Sequence, residues 1–209
     1  MAADFLYFMK ILAFTDIHGS MSALKRLKQK IKIQKPDLLV CAGDVSFFEQ
    51  RIVSVVRKLN KLNKKIIIVH GNHEDDSTFR KLSKIFKNIL FIHKHHFIQN
   101  NVLFLGYGGG GFAMTDREFE KNANSRFKKL INHNKDKKIV LVTHAPPYKT
   151  RLDKLAGGHC GNKSIRQFID KNRIDLLICG HLHENFGKED KIKKTKCINP
   201  GPFGKIIVV

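Results

Sequence analysis

Short apolar stretches alternate along the chain with longer segments in which apolar residues recur at helical spacing. Several of the apolar stretches contain few polar positions, so both of their faces are expected to be covered, as in a sheet packed beneath helices. These stretches, rich in Ile, Leu and Val, lie at 10–15, 37–42, 65–70, 102–106, 139–143, 174–179 and 206–209. The amphipathic segments between them predict helices at about 20–34, 47–62, 77–87, 116–132 and 163–172.

The alternation of strands with helices predicts a layered α/β fold with a largely parallel or mixed sheet. The tail from residue 186 onward differs, because it contains short strand-like pieces broken by Gly and Pro and no helical pattern. A second sheet of antiparallel character is predicted for this tail. The chain shows no repeat and no linker, so we predict a single domain over 1–209, with 1–8 as an extension outside the core.

The composition is that of a globular protein, because 42% of the residues are apolar. The apolar runs are too short to span a bilayer, and the first residues lack the basic region and cleavage site of a signal peptide. We therefore predict a cytoplasmic protein without membrane contact. The four cysteines are widely spaced, which predicts structural free thiols; they are Cys41, Cys160, Cys179 and Cys197.

The formal net charge of +21 suggests a nucleic-acid partner, but the distribution of the lysines favours a simpler explanation. In the segment 25–35, lysines fill the positions between Leu27 and Ile31, which keep helical spacing. This pattern is typical of a solvated helix face. We interpret the charge as compositional, with a phosphate-rich partner such as nucleic acid as the alternative.

Asp, Asn or His residues follow the carboxyl ends of five predicted strands. In open α/β sheets, ligands bind at these ends. A single Asp, Asn or His after a strand is usually a turn or cap residue, but five such occurrences in one chain indicate a common site. The candidate metal ligands are Asp16, His18, Asp44, Asn72, His144, His181 and His183.

The chemistry of this set indicates metal binding. Carboxylate, imidazole and amide groups without thiolates suit Mn²⁺, Fe or Zn²⁺. The set is larger than one ion normally takes, so it predicts two ions roughly 3.5–4 Å apart that share a bridging carboxylate and activate a bridging water. Two dications and two carboxylates leave a positive centre, which suits a phosphate ester. The predicted cofactors are two divalent ions among Mn, Fe, Zn and Ni, with Mn favoured for activity.

In chain order, the motifs DIH, GD, GNHE, THAPP and GHLH resemble those of the calcineurin-like metallophosphoesterase superfamily. The later NPGP motif resembles that of its small single-domain archaeal and bacterial members. The resemblance implies an α/β/β/α sandwich in which helices flank two mixed sheets and a dimetal site lies at the strand carboxyl ends. It implies one ion held by Asp16, His18, Asp44 and His183, and a second held by Asp44, Asn72, His144 and His181.

The resemblance also implies catalytic roles for Asp44, as the bridging ligand, and for His73, which would protonate or stabilise the leaving oxygen. The implied activity is phosphoester hydrolysis by in-line attack of a metal-bridging hydroxide. Analogy with small members favours a phosphodiesterase, and a cyclic nucleotide or a nucleic-acid end is a candidate substrate. The alternatives are a phosphomonoesterase and a nucleic-acid- or protein-binding module that uses the fold as a scaffold.

Four further features lie outside the ligand set. The segment GYGGGGFA (106–113) lacks the Gly-Lys-Ser/Thr of a nucleotide loop and is predicted to be a backbone turn near the site. HKHH (93–96) is predicted to be an exposed turn. His159 is a candidate contact to the substrate phosphate. Glu49 and Glu74 are both candidates to orient His73, and their spacing does not choose between them.

Overall fold

The structure is a computed structural model and describes residues 8–209, so residues 1–7 of the predicted extension lie outside the described residues. The strands are β1 (Lys10–Phe14), β2 (Leu38–Cys41), β3 (Ile66–Ile68), β4 (Ile89–Phe91), β5 (His95–Gln99), β6 (Val102–Tyr107), β7 (Lys138–Thr143), β8 (Lys154–Leu155), β9 (Gly158–His159), β10 (Leu176–Ile178), β11 (Glu189–Ile192), β12 (Thr195–Ile198) and β13 (Lys205–Val208). The helices are α1 (Met21–Gln34), α2 (Ile52–Asn60), α3 (Asp76–Ile85), α4 (Arg117–Asn122), α5 (Lys128–His133) and α6 (Lys163–Lys171).

Two large mixed sheets form the centre of the molecule. The first has the order β13-β1-β2-β3-β4, and the second has the order β11-β12-β10-β7-β6-β5. In the first sheet β1 to β4 run parallel and β13 is antiparallel to β1. In the second sheet β6, β7, β10 and β12 run parallel, and β5 and β11 are the antiparallel edge strands.

Alternate residues of each strand enter different cores, which gives the fold four layers. In β2, Leu39 and Cys41 pack against the helices of the first sheet, whereas Leu38 and Val40 face the second sheet. The same alternation occurs in β7, where Leu141 packs against the helices on its own side. Since side chains of a strand point alternately to opposite faces, these apolar runs are covered on both sides. The predicted α/β/β/α sandwich is confirmed.

The helices confirm the predicted pattern with one displaced start and one irregularity. Helix α1 buries Ala23, Leu24 and Leu27 and leaves its lysines in solvent. The predicted helix at 47–62 begins only at Ile52, because several residues before it have left-handed backbone. The predicted helix at 116–132 is continuous but contains a π-helical turn at Ala123–Phe127 between α4 and α5. No helix in the described part of the chain is long and apolar enough to cross a membrane.

Two predictions about the strands were wrong. The tail does not form its own sheet, because β13 joins the first sheet whereas β11 and β12 extend the second. HKHH is not an exposed turn, because His93 is buried and the last two histidines begin β5. Histidine is intermediate in its tendency to be buried, so it gave no burial signal at this position. The four cysteines are free thiols, and Cys160 alone among them is only partly buried.

Candidate metal centre

Five loops that follow β1, β2, β3, β7 and β10 bring their polar side chains together at one end of the sandwich. Three of these strands belong to the first sheet and two to the second. Parallel strands of one sheet end at the same edge. The loops that follow the strands of one sheet are therefore close to each other. Packing of the two sheets then brings the subsets into contact, as the following distances show. All seven predicted ligands and His73 belong to this one cluster.

Asp44 lies at the middle of the cluster and is almost completely buried. Its Oδ2 atom lies 3.8 Å from Nε2 of His18, 3.8 Å from Nε2 of His73 and 3.4 Å from Nε2 of His144. The other oxygen, Oδ1, accepts a hydrogen bond from the backbone N–H of His73 at 3.0 Å. One carboxylate oxygen is therefore anchored, and the other faces three imidazole nitrogens.

One half of the centre contains Asp16, His18 and His183. The Nε2 atoms of His18 and His183 lie 3.2 Å apart, and Oδ1 of Asp16 lies 3.6 Å from Nε2 of His183 and 3.9 Å from Nε2 of His18. Three donor atoms thus point at one small volume. Asp16 is buried, and its Oδ2 accepts a 2.6 Å hydrogen bond from the Thr15 hydroxyl. This half is open to solvent, because the His183 side chain is 53% exposed.

The other half contains Asn72, His144 and His181. Nε2 of His144 lies 3.0 Å from Oδ1 of Asn72, and the His144 and His181 rings are 5.3 Å apart. The His144 ring is fully buried. His181 is tied to the first half by its backbone N–H, which donates to Asp16 at 3.1 Å. The two halves therefore share Asp44 and are joined through Asp16.

The ring orientations fit metal ligation. Nδ1 of His18 bonds the carbonyl oxygen of Ser46 at 3.0 Å, and Nδ1 of His144 bonds that of Ala42 at 2.9 Å. A carbonyl oxygen only accepts, so each Nδ1 carries a proton and each Nε2 is the nitrogen that faces the cluster, where it would bind a cation in its deprotonated form. Nε2 of His181 is buried without a hydrogen-bond partner. Such an orphaned buried nitrogen is the atom that a cation would satisfy.

The backbone of the site is strained at four of the predicted ligands. Asp16, His18, Asp44 and His181 have φ angles of 52°, 41°, 51° and 73°. Left-handed backbone costs a non-glycine residue about 1–2 kcal/mol, and such residues concentrate at functional sites. The strain aims these side chains inward at the strand ends. Strain at four ligand positions is consistent with a functional site at these strand ends.

Glycines in the motifs leave room for the carboxylates. A Cβ atom on Gly71 would lie 1.8 Å from Oδ1 of Asp44. A Cβ on Gly180 would lie 2.0 Å from Oγ1 of Thr15 and 2.5 Å from Oδ2 of Asp16. Neither position tolerates a side chain without displacing a ligand. This contact explains in physical terms why glycine precedes Asn72 and His181.

Neither glutamate candidate orients His73. Glu74 is buried, and its oxygens accept hydrogen bonds from the backbone of Asp44, Ser46 and Gly71, so it fixes two ligand loops to each other. Glu49 accepts the backbone N–H of Asp75 at 2.9 Å, just before α3 begins. The partners of His73 were not predicted from the sequence.

Aromatic rings hold His73 in place. The Phe47 ring is stacked on His73 with centroids 5.0 Å apart, and Phe48 meets His73 edge to face at 4.3 Å. Nδ1 of His73 has no hydrogen-bond partner. The imidazole is thus positioned by ring packing, with Nε2 toward Asp44. The adjacent phenylalanines in FFEQ were the available sequence signal, but an apolar pair at the start of a predicted helix resembles an ordinary core contact.

The electrostatics of the centre are those of a site that requires positive charge. Burial opposes ionisation of Asp44, but His144 and His73 outweigh it and lower the pKa of Asp44 to about 2. Burial likewise opposes protonation of His144, but the Asp44 carboxylate outweighs it and raises the pKa of His144 to about 9. Burial and the charge of His144 lower the pKa of His181 to about 4. His181 therefore stays neutral, which is the state that binds metal.

Two further predictions concern the surroundings of the cluster. The glycine segment does pack against the site, since a Cβ on Gly111 would lie 3.4 Å from Cβ of Asn72. His159 lies in the short β8–β9 hairpin, where Nδ1 bonds Oδ1 of the buried Asp153 at 2.8 Å and the ring meets Tyr148. These contacts tie His159 to its own loop, and its contact with the substrate phosphate stays a prediction.

Fold and site together define the class: an α/β/β/α sandwich with a carboxylate–histidine cluster suited to cations at one end of its two facing sheets. Comparison with known proteins gives the family. A model of the calcineurin-like phosphoesterase family matches residues 9–185, and the chain belongs to that family. Its relatives include an uncharacterized protein of Methanocaldococcus jannaschii, which is 34% identical over 204 residues, or 93% of this chain and 89% of the relative.

Solved structures share the fold at low sequence identity. A protein of Thermus thermophilus superposes with a TM-score of 0.74 at 15% identity, covering 94% of this chain and 91% of that one. A structure described as a novel archaeal phosphodiesterase superposes with a TM-score of 0.55 at 16% identity, covering 96% and 100%. Family membership and the carboxylate–histidine cluster support a metal-dependent phosphoesterase with two divalent ions.

Proposed function

We propose that the protein is a two-metal phosphodiesterase. The observation that carries the proposal is the convergence of His18, His73 and His144 on Oδ2 of Asp44 at 3.8, 3.8 and 3.4 Å. Asp16, His18, Asp44 and His183 would hold one ion, and Asp44, Asn72, His144 and His181 the other. Bound divalent ions supply an activated water and charge that stabilises the phosphoryl transition state, and Mn²⁺ is the favoured ion.

The residues of the chain then have separate tasks. Asp44 bridges the two halves, and the backbone N–H of His73 holds its second oxygen in place. His73 is the proton donor to the leaving oxygen, because its ring is clamped by Phe47 and its Nε2 faces the cluster. Proton transfer of this kind contributes ~10²–10⁴ in rate.

The preference for a diester over a monoester is drawn from the small single-domain members that this chain resembles. The archaeal phosphodiesterase of the same fold is consistent with this preference.

The test compares two esters with the same leaving group. Protein freed of metal with a chelator is supplied with Mn²⁺ and given methyl p-nitrophenyl phosphate, a diester, or p-nitrophenyl phosphate, a monoester. We expect Mn²⁺-dependent release of p-nitrophenolate with kcat/KM at least about tenfold higher for the diester, a difference of roughly 1.4 kcal/mol. The control is Asp136→Asn, an exposed aspartate before β7 at the opposite ends of the strands.

The outcomes separate the parts of the proposal. A monoester preference would overturn the diester assignment and leave the phosphoesterase. Absence of turnover with Mn²⁺, Fe²⁺, Zn²⁺ and Ni²⁺, together with salt-sensitive binding of oligonucleotides, would instead identify a binding module. Asp44→Asn should abolish the reaction, whereas Asp136→Asn should retain it.

A further inference from the structure

Exposed phenylalanine side chains surround the candidate metal centre. Within residues 8–209, the exposed phenylalanines are Phe8, Phe47, Phe48, Phe112 and Phe203. Three of the five contact histidines of the centre, and we name these three the aromatic rim: Phe47, Phe48 and Phe112. Single exposed apolar residues are ordinary, but three rings around one polar cluster require an explanation.

The rim lies on both halves of the centre. Phe47 and Phe48 contact His73, and Phe47 also meets the edge of His18 at 6.1 Å. Phe112 meets His181 edge to face with centroids 4.4 Å apart. The rings on the first side therefore stand beside the proposed proton donor. The ring on the second side stands beside a proposed ligand of the other ion.

The loop that carries Phe48 is strained without a gain in burial. Phe48, Glu49 and Arg51 have φ angles of 45°, 58° and 53°. A bulky residue with positive φ is an outlier, and each such residue costs about 1–2 kcal/mol. Phe48 nevertheless remains 64% exposed, so burial of its ring does not offset the cost. Strain that places an aromatic ring in solvent beside a reacting group points to a ligand.

The loop that carries Phe112 is pressed against the site by glycines. Gly109, Gly110 and Gly111 have φ angles of 77°, 94° and 43°, which suit glycine best. The missing side chains let the backbone approach Asn72 and Ala145, with Cβ positions within 3.4 Å. Phe112 follows directly and stays 66% exposed above His181. This loop positions a ring without packing it into the protein.

We propose that the aromatic rim binds the bases of a single-stranded nucleic acid whose phosphodiester lies in the metal centre. This inference rests on the proposed function and names its substrate class. Phe112 stacks on the base of the retained nucleoside, and Phe47 and Phe48 take the base of the departing nucleoside beside His73. Stacking on an aromatic side chain is worth about 1–3 kcal/mol per base and tolerates every base.

The first experiment varies only the group on the retained side. Thymidine 5′-(p-nitrophenyl phosphate) and methyl p-nitrophenyl phosphate share a leaving group, but only the former carries a base. We expect the wild-type protein to prefer the nucleoside ester by ~10-fold or more in kcat/KM, mainly through KM. Phe112→Ala should bring this ratio close to one. Phe8→Ala is the matched control, because Phe8 is also 66% exposed and lies beside Val208, away from the strand carboxyl ends.

The second experiment measures binding without turnover. Fluorescence anisotropy of a labelled oligothymidylate with metal-free protein should show weaker binding for Phe112→Ala and Phe48→Gly than for the wild type and Phe8→Ala. Phe48→Gly also relieves the backbone strain, so its thermal stability should be equal to or above that of the wild type. Weakened binding in this variant would therefore not reflect unfolding.

The two proposals fail in distinguishable ways. If neither chromogenic ester is hydrolysed, the proposed function is overturned, and the anisotropy measurement still decides the role of the rim. If both esters are hydrolysed with equal kcat/KM and rim variants bind the oligonucleotide as the wild type does, the nucleic-acid inference is overturned while the phosphodiesterase stands. Selective loss of affinity in the rim variants would support it.

Discussion

Two groups of histidines, each with at least one buried ring, differ in almost every respect that matters for chemistry. In the metal centre, His18 and His144 bond backbone carbonyls through Nδ1 and turn Nε2 toward Asp44. In the second group, His70 and His93 pack edge to face at 4.5 Å, and Nδ1 of His93 accepts the N–H of Gly108 at 2.9 Å.

The difference shows that burial and residue type do not by themselves identify a ligand. The metal-centre rings converge on the buried carboxylates of Asp16 and Asp44. The His70–His93 pair instead packs against the rings of Phe91 and Tyr107, and the charge of Asp76 in α3 also acts on it. Burial lowers the pKa of His70 to about 4 and that of His93 to about 3, so both rings stay neutral. The first group is arranged for cations, and the second packs as aromatic side chains.

The largest effect that distinguishes the two histidine groups is expected on removal of the Asp44 carboxylate. Asp44→Asn should lower kcat/KM for a diester by ~10³-fold or more, because several kcal/mol of transition-state stabilisation depend on the ions that it bridges. His93→Gln, which keeps an acceptor in the second group, should retain most of the activity. Steady-state kinetics and metal analysis of both variants give the answer. Similar losses in the two variants would contradict the distinction.

Replacement of His73 should have a smaller and more selective effect. His73→Gln is expected to lower kcat by ~10²–10⁴-fold for a dinucleotide, whose leaving group is an alkoxide that needs a proton. With bis-p-nitrophenyl phosphate the loss should be much smaller, because p-nitrophenolate departs without one. Metal content should stay at the wild-type level. Equal losses with the two substrates would show that His73 is not the proton donor.

The glycine that faces Asp44 offers a test of the geometry. Gly71→Ala places a Cβ where Oδ1 of Asp44 lies, so the carboxylate must move and metal affinity should fall ~10–100-fold. Gly157→Ala is the control, because a Cβ there meets nothing within 4 Å. Isothermal titration of each variant with Mn²⁺ measures the difference. Unchanged affinity in Gly71→Ala would mean that Asp44 does not bridge as proposed.

The smallest effect concerns stability in acid. His93 has a folded pKa of about 3, below the usual value of 6.5, so the unfolded chain binds a proton that the folded chain refuses. The stability that His93 contributes is therefore fully present above pH 6.5. It is lost as the pH falls toward 3, and the free energy of unfolding then decreases by at most about 1.4 kcal/mol per pH unit. Urea unfolding of the metal-free protein measures the free energy of unfolding at pH 7 and at pH 4.5. The decrease between the two pH values should be ~1–2 kcal/mol smaller in His93→Gln than in the wild type.

An exposed histidine provides the control for this last measurement. His133→Gln should follow the wild-type pH dependence, because His133 is exposed on α5. If His93→Gln also follows the wild type, the second group does not hold neutral rings, and the contrast between the two groups loses its electrostatic part.

The ligand positions could be predicted because strand direction carries the information. An apolar run followed by Asp16 or His144 indicates the end of a parallel strand, and parallel strands end together. The burial of His93 could not be predicted, since its signal comes from β6, which pairs across it by a single bridge to Gly106. The left-handed residues before α2 were missed for a similar reason. Apolar residues at helical spacing begin at Phe47, whereas the backbone there forms local turns and Glu49 accepts a hydrogen bond from the backbone of Asp75, a contact that spacing does not reveal.

The origin of the ligands has a consequence for the lifetime of the protein. Asp16, Asp44 and Asn72 come from one sheet, whereas His144, His181 and His183 come from the other. A pair of cations bound by ligands from both sheets would cross-link the two sheets. Loss of the metal ions would then weaken the packing between the two sheets as well as abolish activity. The destabilised protein would be degraded faster.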